Sequence, residues 1–305
     1  MCSSASPRRR RKKTTSPPAS AAAEARDWAA LPGDILFAVF LKLGPREVML
    51  GAEFACTAWR RVALEEPSLW RRIGWDRIID SRVGVGVGEE MAMARVALAR
   101  TAGQCEAFKG FCEGDDLTNL VERAPSLKSL FLRDYSDDQS SELLIVALRK
   151  LPLLQDLQIY ISDYIYPIDN QLQSVCQACP HLKKLALTYA ASYDAESIDR
   201  GIPLMRELCS LELYQFDLSV NGLNTILDNC PLLEYLHVGG YFNQRKMDTE
   251  LRVKCARVKK LTLPTRQKPA YKSAECYMPY NMTYNAGYSD DSSEDGFSEE
   301  DSQHE

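Results

Sequence analysis

The stretch Leu182-Lys183-Lys184-Leu185-Ala186-Leu187 sets one apolar residue, a gap of two, and then two apolar residues one apart. The same spacing returns at Leu127/Leu130/Leu132, Leu154/Leu157/Ile159, Leu208/Leu211/Leu213, Leu233/Leu236/Val238 and Val258/Leu261/Leu263. A degenerate first copy sits at Cys105/Phe108/Gly110. Successive copies begin 22 to 28 residues apart, which makes a period. Two apolar residues one apart share a face of an extended strand. The earlier one packs under the turn that leads into that strand. One such unit cannot bury its apolar face alone, so units must stack. Helical patterns fill the intervals at Leu117–Ala124, Ser141–Leu151, Gln171–Ala178 and Gly222–Asn229. Pro125, Pro152, Pro180 and Pro231 stand two residues before the first apolar position, where proline stops a helix and hands the chain to a strand. Cys179 and Cys230 precede two of these prolines and suit small buried hydrophobes.

A strand motif recurring every 20–29 residues or so marks leucine-rich repeats. Residues 104–264 are therefore expected to form about seven strand–helix units of a curved α/β solenoid. Strand alternation turns the residues flanking the leucines to the concave side. The candidate target-binding residues there are Phe131, Arg133, Tyr160, Lys184, Glu212, Tyr214, Tyr235 and His237. Loops after the strands add Tyr135, Tyr164, Tyr166, Tyr189, Phe216 and Tyr241. Tyrosine gives contact area at low entropic cost, so a protein target is the expected occupant. A second reading has half of these rings filling gaps between repeats. A third has the face covered by the chain's own tail, which carries Tyr271, Tyr277, Tyr280, Tyr284 and Tyr288.

Upstream, residues 28–73 are dense in apolar residues and tryptophan and predict three short helices. Proline at position 32 suits an early helical site, where a missing N–H costs nothing. Leu36, Val39, Phe40 and Leu43 follow at helical spacing until Gly44-Pro45 ends the run. Val48, Leu50, Ala52 and Phe54 mark a second helix, and Cys56, Trp59 and Val62 a third. Ile35, Phe37 and Leu41 fall off the main stripe, so the segment holds more apolar surface than three short helices can hide. A cap on the first repeat would use some of it; a docked partner would use more.

The run Leu31-Pro32-x-Asp34-Ile35-Leu36-x-x-Val39-Phe40-x-x-Leu43 resembles the first half of an F-box. Cys56-x-x-Trp59-Arg60-x-x-Ala63, then Glu66-Pro67-x-Leu69-Trp70-Arg71, resembles its second half. Gly44-Pro45-Arg46-Glu47 stands where many F-boxes have a more apolar or acidic junction. An F-box followed by irregular repeats is similar to the plant F-box/leucine-rich-repeat proteins. That resemblance implies a substrate-recognition subunit of an SCF-type (cullin-RING) ubiquitin ligase. The F-box would dock on the Skp-type adaptor, and through it on cullin, while the repeats hold the protein to be ubiquitinated. It also implies adaptor contacts at Leu31, Pro32, Ile35, Leu36, Val39, Phe40, Leu43 and Trp59, with Trp59 and Trp70 packing the motif's second half. The alternative is a repeat scaffold that joins no ligase.

Composition bounds the rest. The chain has 305 residues, 45% hydrophobic and 26% charged, which is ordinary for a globular protein. Residues 1–27 are expected to be a disordered basic head with seven Lys/Arg against two Asp/Glu. Residues 74–103 suggest a connector, and residues 265–305 a Tyr-rich, then acidic tail, mostly disordered. The body between is near neutral, which argues against a large nucleic-acid face. Apolar runs such as Leu143–Leu148 fall far short of the roughly 20 residues needed to cross a membrane. Ten cysteines scattered from Cys2 to Cys276 suggest reduced thiols. With the basic block Arg8–Lys13 as a nuclear-import candidate, nucleus and cytoplasm are the expected locations. Serines 292, 293 and 298 lie among acids and suit either acid-directed phosphorylation or a plain solubilising tail.

No catalytic constellation, metal site or cofactor is expected. His181, His237 and His304 lie near no nucleophile motif. Cys176-x-x-Cys179 lacks a second pair at zinc spacing. Gly84-x-Gly86-x-Gly88 lacks the strand, helix and acid of a dinucleotide site. A ligase receptor needs none of these, since it contributes proximity.

Overall fold

In a computed structural model, the described residues are 28–75, 87–112, 114–135, 141–161, 168–189 and 197–264. The basic head, the tail with its tyrosines and serines, Gly84, Gly86, Tyr164, Tyr166 and the side chain of Tyr135 lie outside them.

The chain opens with three α-helices, α1 (Gly33–Leu43), α2 (Pro45–Leu50) and α3 (Thr57–Glu65). Pro32 caps α1 rather than lying inside it, and Pro45 takes the first turn of α2. Gly44 between them has φ +86°, a left-handed conformation that only glycine adopts cheaply. Ala52–Phe54 forms a separate 3-10 turn, not an extension of α2. A 3-10 turn at Pro67–Trp70 then leads into strand β1 (Arg72–Gly74).

The repeats follow as α4 (Val87–Arg100), β2 (Ala107–Gly110), α5 (Gly114–Arg123), β3 (Ser129–Tyr135), α6 (Ser141–Arg149), β4 (Asp156–Ile161), α7 (Ile168–Ala178) and β5 (Lys184–Tyr189). Next come β6 (Ser197–Ile198), β7 (Ser210–Tyr214), β8 (Asp217–Leu218), α8 (Val220–Asn229), β9 (Tyr235–Gly239), α9 (Thr249–Cys255) and β10 (Lys260–Thr262). Eight strands form one open sheet in the order β1-β2-β3-β4-β5-β7-β9-β10, all parallel. A parallel pair needs a crossover, and the helices supply it. The interval between β5 and β7 carries β6, paired with β8 in a small second sheet, where the repeat leads one to expect a helix. The sheet starts at β1, directly after the Trp70-Arg71 that closes the F-box-like motif, so β1 and α4 already make one strand–helix unit.

Register explains the leucine pattern. Leu130, Leu157, Leu185, Leu211, Leu236 and Leu261 are successive neighbours across the sheet. Leu132, Ile159, Leu187, Leu213 and Val238 form a second such row. The residues between them are half-buried or exposed, as in the alternating burial along β4 and β7. At each turn into a strand, the amide of the first apolar residue donates to the carbonyl three residues back. Leu127 bonds Ala124, Leu154 bonds Leu151, Leu182 bonds Cys179, and Leu233 bonds Cys230. Cys179 and Cys230 sit in the core as small hydrophobes, and burial pushes both thiols up to about 12. One continuous core runs from Phe40, Trp70 and Ile73 through all the strands to Val258.

Candidate functional site

Two surfaces are candidates. The first belongs to the N-terminal helices. Helix α1 is apolar at nearly every position, but the fold uses one stripe of it. Leu36 and Phe40 are buried, with Val39 partly so. At 3.6 residues per turn, Ile35 and Leu41 fall on either flank of that stripe, and both are exposed. Leu43 and Pro32 are exposed, and Leu31 is half-buried. Trp59 lies edge-on to Phe40, ring centroids 5.6 Å apart, and its Nε1 donates to the Trp28 carbonyl at 2.9 Å. Trp70 is buried, and its Nε1 donates to the Ala63 carbonyl at 3.0 Å. Leu36 and Phe40 therefore hold the helices together. Surface for a partner is left to Leu31, Pro32, Ile35 and Leu43 of the expected set. Leu50, Phe54 and Leu64 add to it, and the sequence pattern did not single them out as exposed. Seven of the thirteen large apolar side chains exposed among the described residues fall between Trp28 and Leu64.

This module is fixed to the stack. Arg100 on α4 donates to Glu53 at 2.6 Å, both side chains mostly buried, while its guanidinium lies 4.9 Å from the Trp70 ring centroid. Strand β1 extends the sheet against β2.

The second surface is the face of the sheet opposite the helices. Sheet register sets Ser129, Asp156, Lys184, Ser210, Tyr235 and Lys260 side by side. A parallel row holds Lys109, Phe131, Gln158, Ala186, Glu212, His237 and Thr262. Phe131, Tyr160, Lys184, Glu212, Tyr214, Tyr235 and His237 all lie on this face, half-buried or exposed. Lys109 and Lys260 join them: Lys109 sits 5.6 Å from the Phe131 ring and Lys260 5.1 Å from the Tyr235 ring. Strand alternation carried into the first and last copies would have found both.

Arg133 departs from the expectation. The register slips between Leu132 and Tyr135, and Arg133 turns into the interior, 3% exposed, where it pairs with Glu90 of α4. It cannot meet a target on the open face. Tyr189 and Phe216 are also interior, with ring centroids 6.1 Å apart, so two of the loop aromatics fill the space between repeats.

Charge on the open face centres on Glu212. Tyr214 donates its hydroxyl to Glu212 at 2.6 Å, and the Tyr214 and His237 rings lie 4.6 Å apart at 36°. Burial lowers the His237 imidazole from its ordinary value; Glu212 acts against that and Lys260 adds to it. Burial raises the Asp156 carboxyl, with Lys184 opposing. Among the described residues, no group of His, Cys, Asp and Glu is placed to hold a metal ion, and no helix is long and apolar enough to cross a membrane.

Residues 28–74 match the F-box-like family model. F-box/LRR-repeat protein 9 of Arabidopsis thaliana is 31% identical over 221 residues, covering 70% of this chain and 87% of that protein. The chain belongs to the plant F-box/LRR-repeat proteins. F-box protein SKIP19 of the same plant is 31% identical, covering 72% of this F-box/LRR chain and 71% of its relative. F-box/LRR-repeat protein 23 is 32% identical over 78% of the chain, which spans about half, 54%, of that longer relative. A solved leucine-rich-repeat protein, LegL7 of Legionella pneumophila, aligns with 76% of the chain and 78% of its own at 9% identity and a TM-score of 0.37. That likeness adds nothing to the register above. F-box/LRR proteins are generally adaptors rather than catalysts.

Proposed function

We propose that this F-box/LRR protein is the substrate-recognition subunit of an SCF-type (cullin-RING) ubiquitin ligase. Its N-terminal helices dock on the Skp-type adaptor, and the open face of its sheet holds the protein to be ubiquitinated. The observation that carries this reading is the exposed apolar surface of residues 28–64. Apolar side chains concentrated on one small module, beside a core already complete, suit a partner that covers them. The aromatic and charged side chains on the sheet suit a second, polar protein contact. The rigid joint between the two keeps adaptor and target at a set separation, which is how a non-catalytic subunit accelerates transfer.

Co-purification tests the reading. The full chain is expected to capture a plant Skp-type adaptor, and Leu31→Ala with Pro32→Ala is expected to lose it while thermal unfolding of the repeats is retained. Undiminished capture by that folded double variant would favour a repeat scaffold outside the ligase.

A further inference from the structure

On the open face the Glu212 carboxylate is hydrogen-bonded to a tyrosine and not paired with a cation among the described residues. Glu212 is half-buried at the centre of β7, its bonding partner is the Tyr214 hydroxyl, and among the described residues it makes no ion pair. His237 is its register neighbour on β9, and Tyr235 lies two residues before His237 on the same strand. On the other side its neighbour is Ala186, and Tyr214 faces Gly239. With no side chain on Gly239, the His237 and Tyr214 rings lie over it, His237 Nε2 3.2 Å and Tyr214 Cδ1 3.6 Å from where its Cβ would stand. Glu212 acts electrically on each of His237, Tyr235 and Asp156.

We propose that Glu212, Tyr214, Tyr235 and His237 together seat one arginine side chain of the protein segment bound on the repeats. The site rests on the reading of this face as the target-binding surface. A cation over an aromatic face is attracted by the ring's quadrupole, more strongly as water is excluded. A carboxylate beside the rings adds a charge-assisted hydrogen bond. Arginine fits better than lysine because its planar group can stack on a ring and bond the carboxylate at once. The surrounding charges narrow the segment further. Lys184 stands on β5, one strand from Glu212 and diagonal to it, and Lys260 lies over Tyr235 on the far side. Both repel a second cation, so the segment carries a single arginine among acidic or neutral residues rather than a basic run.

The test uses the intact protein and fluorescent nonapeptides read by anisotropy. One peptide has a central arginine between glutamates and Gly-Ser ends; the others replace that arginine by glutamine or surround it with further arginines. The arginine–glutamate peptide is expected to bind saturably, and the glutamine peptide about tenfold more weakly or worse. Glu212→Gln, with an unchanged melting temperature, is expected to cut affinity for the arginine peptide by about tenfold, and His237→Ala by about two- to thirtyfold. Equal binding of the arginine and glutamine peptides, no loss on Glu212→Gln, tighter binding of the polyarginine peptide, or no binding at all would each overturn the site. Adaptor capture by the same preparation separates the two readings: peptide failure with capture intact removes only the arginine seat, and capture failure with peptide binding intact removes only the ligase.

Discussion

Arg133 and Glu90 form a buried ion pair, with the guanidinium 4.8 Å from the Phe111 ring centroid and its Nε and Nη1 without partners among the described residues. Space for the pair exists because the first repeat has Gly110 where later repeats have leucine, isoleucine or valine; a Cβ there would lie 3.5 Å from the Glu90 carboxylate. Removing one member of such a pair leaves the other charged and buried. Glu90→Ala is therefore expected to lower the unfolding free energy by about 3–5 kcal/mol in urea denaturation. Replacing both, Glu90→Leu with Arg133→Met, is expected to recover that loss, because two desolvated charges are exchanged for packed apolar groups. A double variant less stable than Glu90→Ala would contradict this account of the pair. Neither residue was legible as a partner. Alternation sends Arg133 outward, and a register slip leaves no mark in the sequence. Phe131, Tyr160 and Glu212 were legible because each pairs in regular register, Phe131 with Gln158 ahead of the slip and Tyr160 and Glu212 with β5.

Among the elements, helix α8 shows where local propensity and packing disagree. Ser219 caps it, accepting from the Gly222 amide at 2.9 Å. A Cβ on Gly222 would overlap the Ile198 carbonyl oxygen of β6 and touch Leu218. Alanine for glycine in a helix ordinarily gains up to about 1 kcal/mol. Here the overlap with backbone reverses the sign, and Gly222→Ala is expected to cost about 1–3 kcal/mol in the same denaturation measurement. A Cβ on Gly88 in α4 would meet nothing within 4 Å among the described residues, so Gly88→Ala is the control, expected to be neutral or to gain about 0.4–1 kcal/mol. The helical periods of α5 to α8 were readable from apolar spacing. Strands β6 and β8 were not, since two residues carry no period.

At the scale of the whole molecule, the F-box and the repeats share one core and one sheet. Sequence could show both parts, because each has its own spacing rule, but not the joint between them. Strand β1 is three residues long, its partner is the degenerate first repeat, and Glu53 and Arg100 are 47 residues apart. The joint carries one core from the apolar anchors of the first helices into the strands that present the polar sheet face. The most direct measurement of that account is the affinity of a plant Skp-type adaptor for three full-length variants by titration calorimetry. Ile35→Asp and Phe54→Asp place a charge within the exposed apolar surface of the F-box, and each is expected to weaken binding about tenfold or more. Val253→Asp places the same charge on the exposed face of α9, at the far end of the sheet, and is expected to leave binding unchanged. Wild-type affinity in both F-box variants, or an equal loss in all three, would contradict the account.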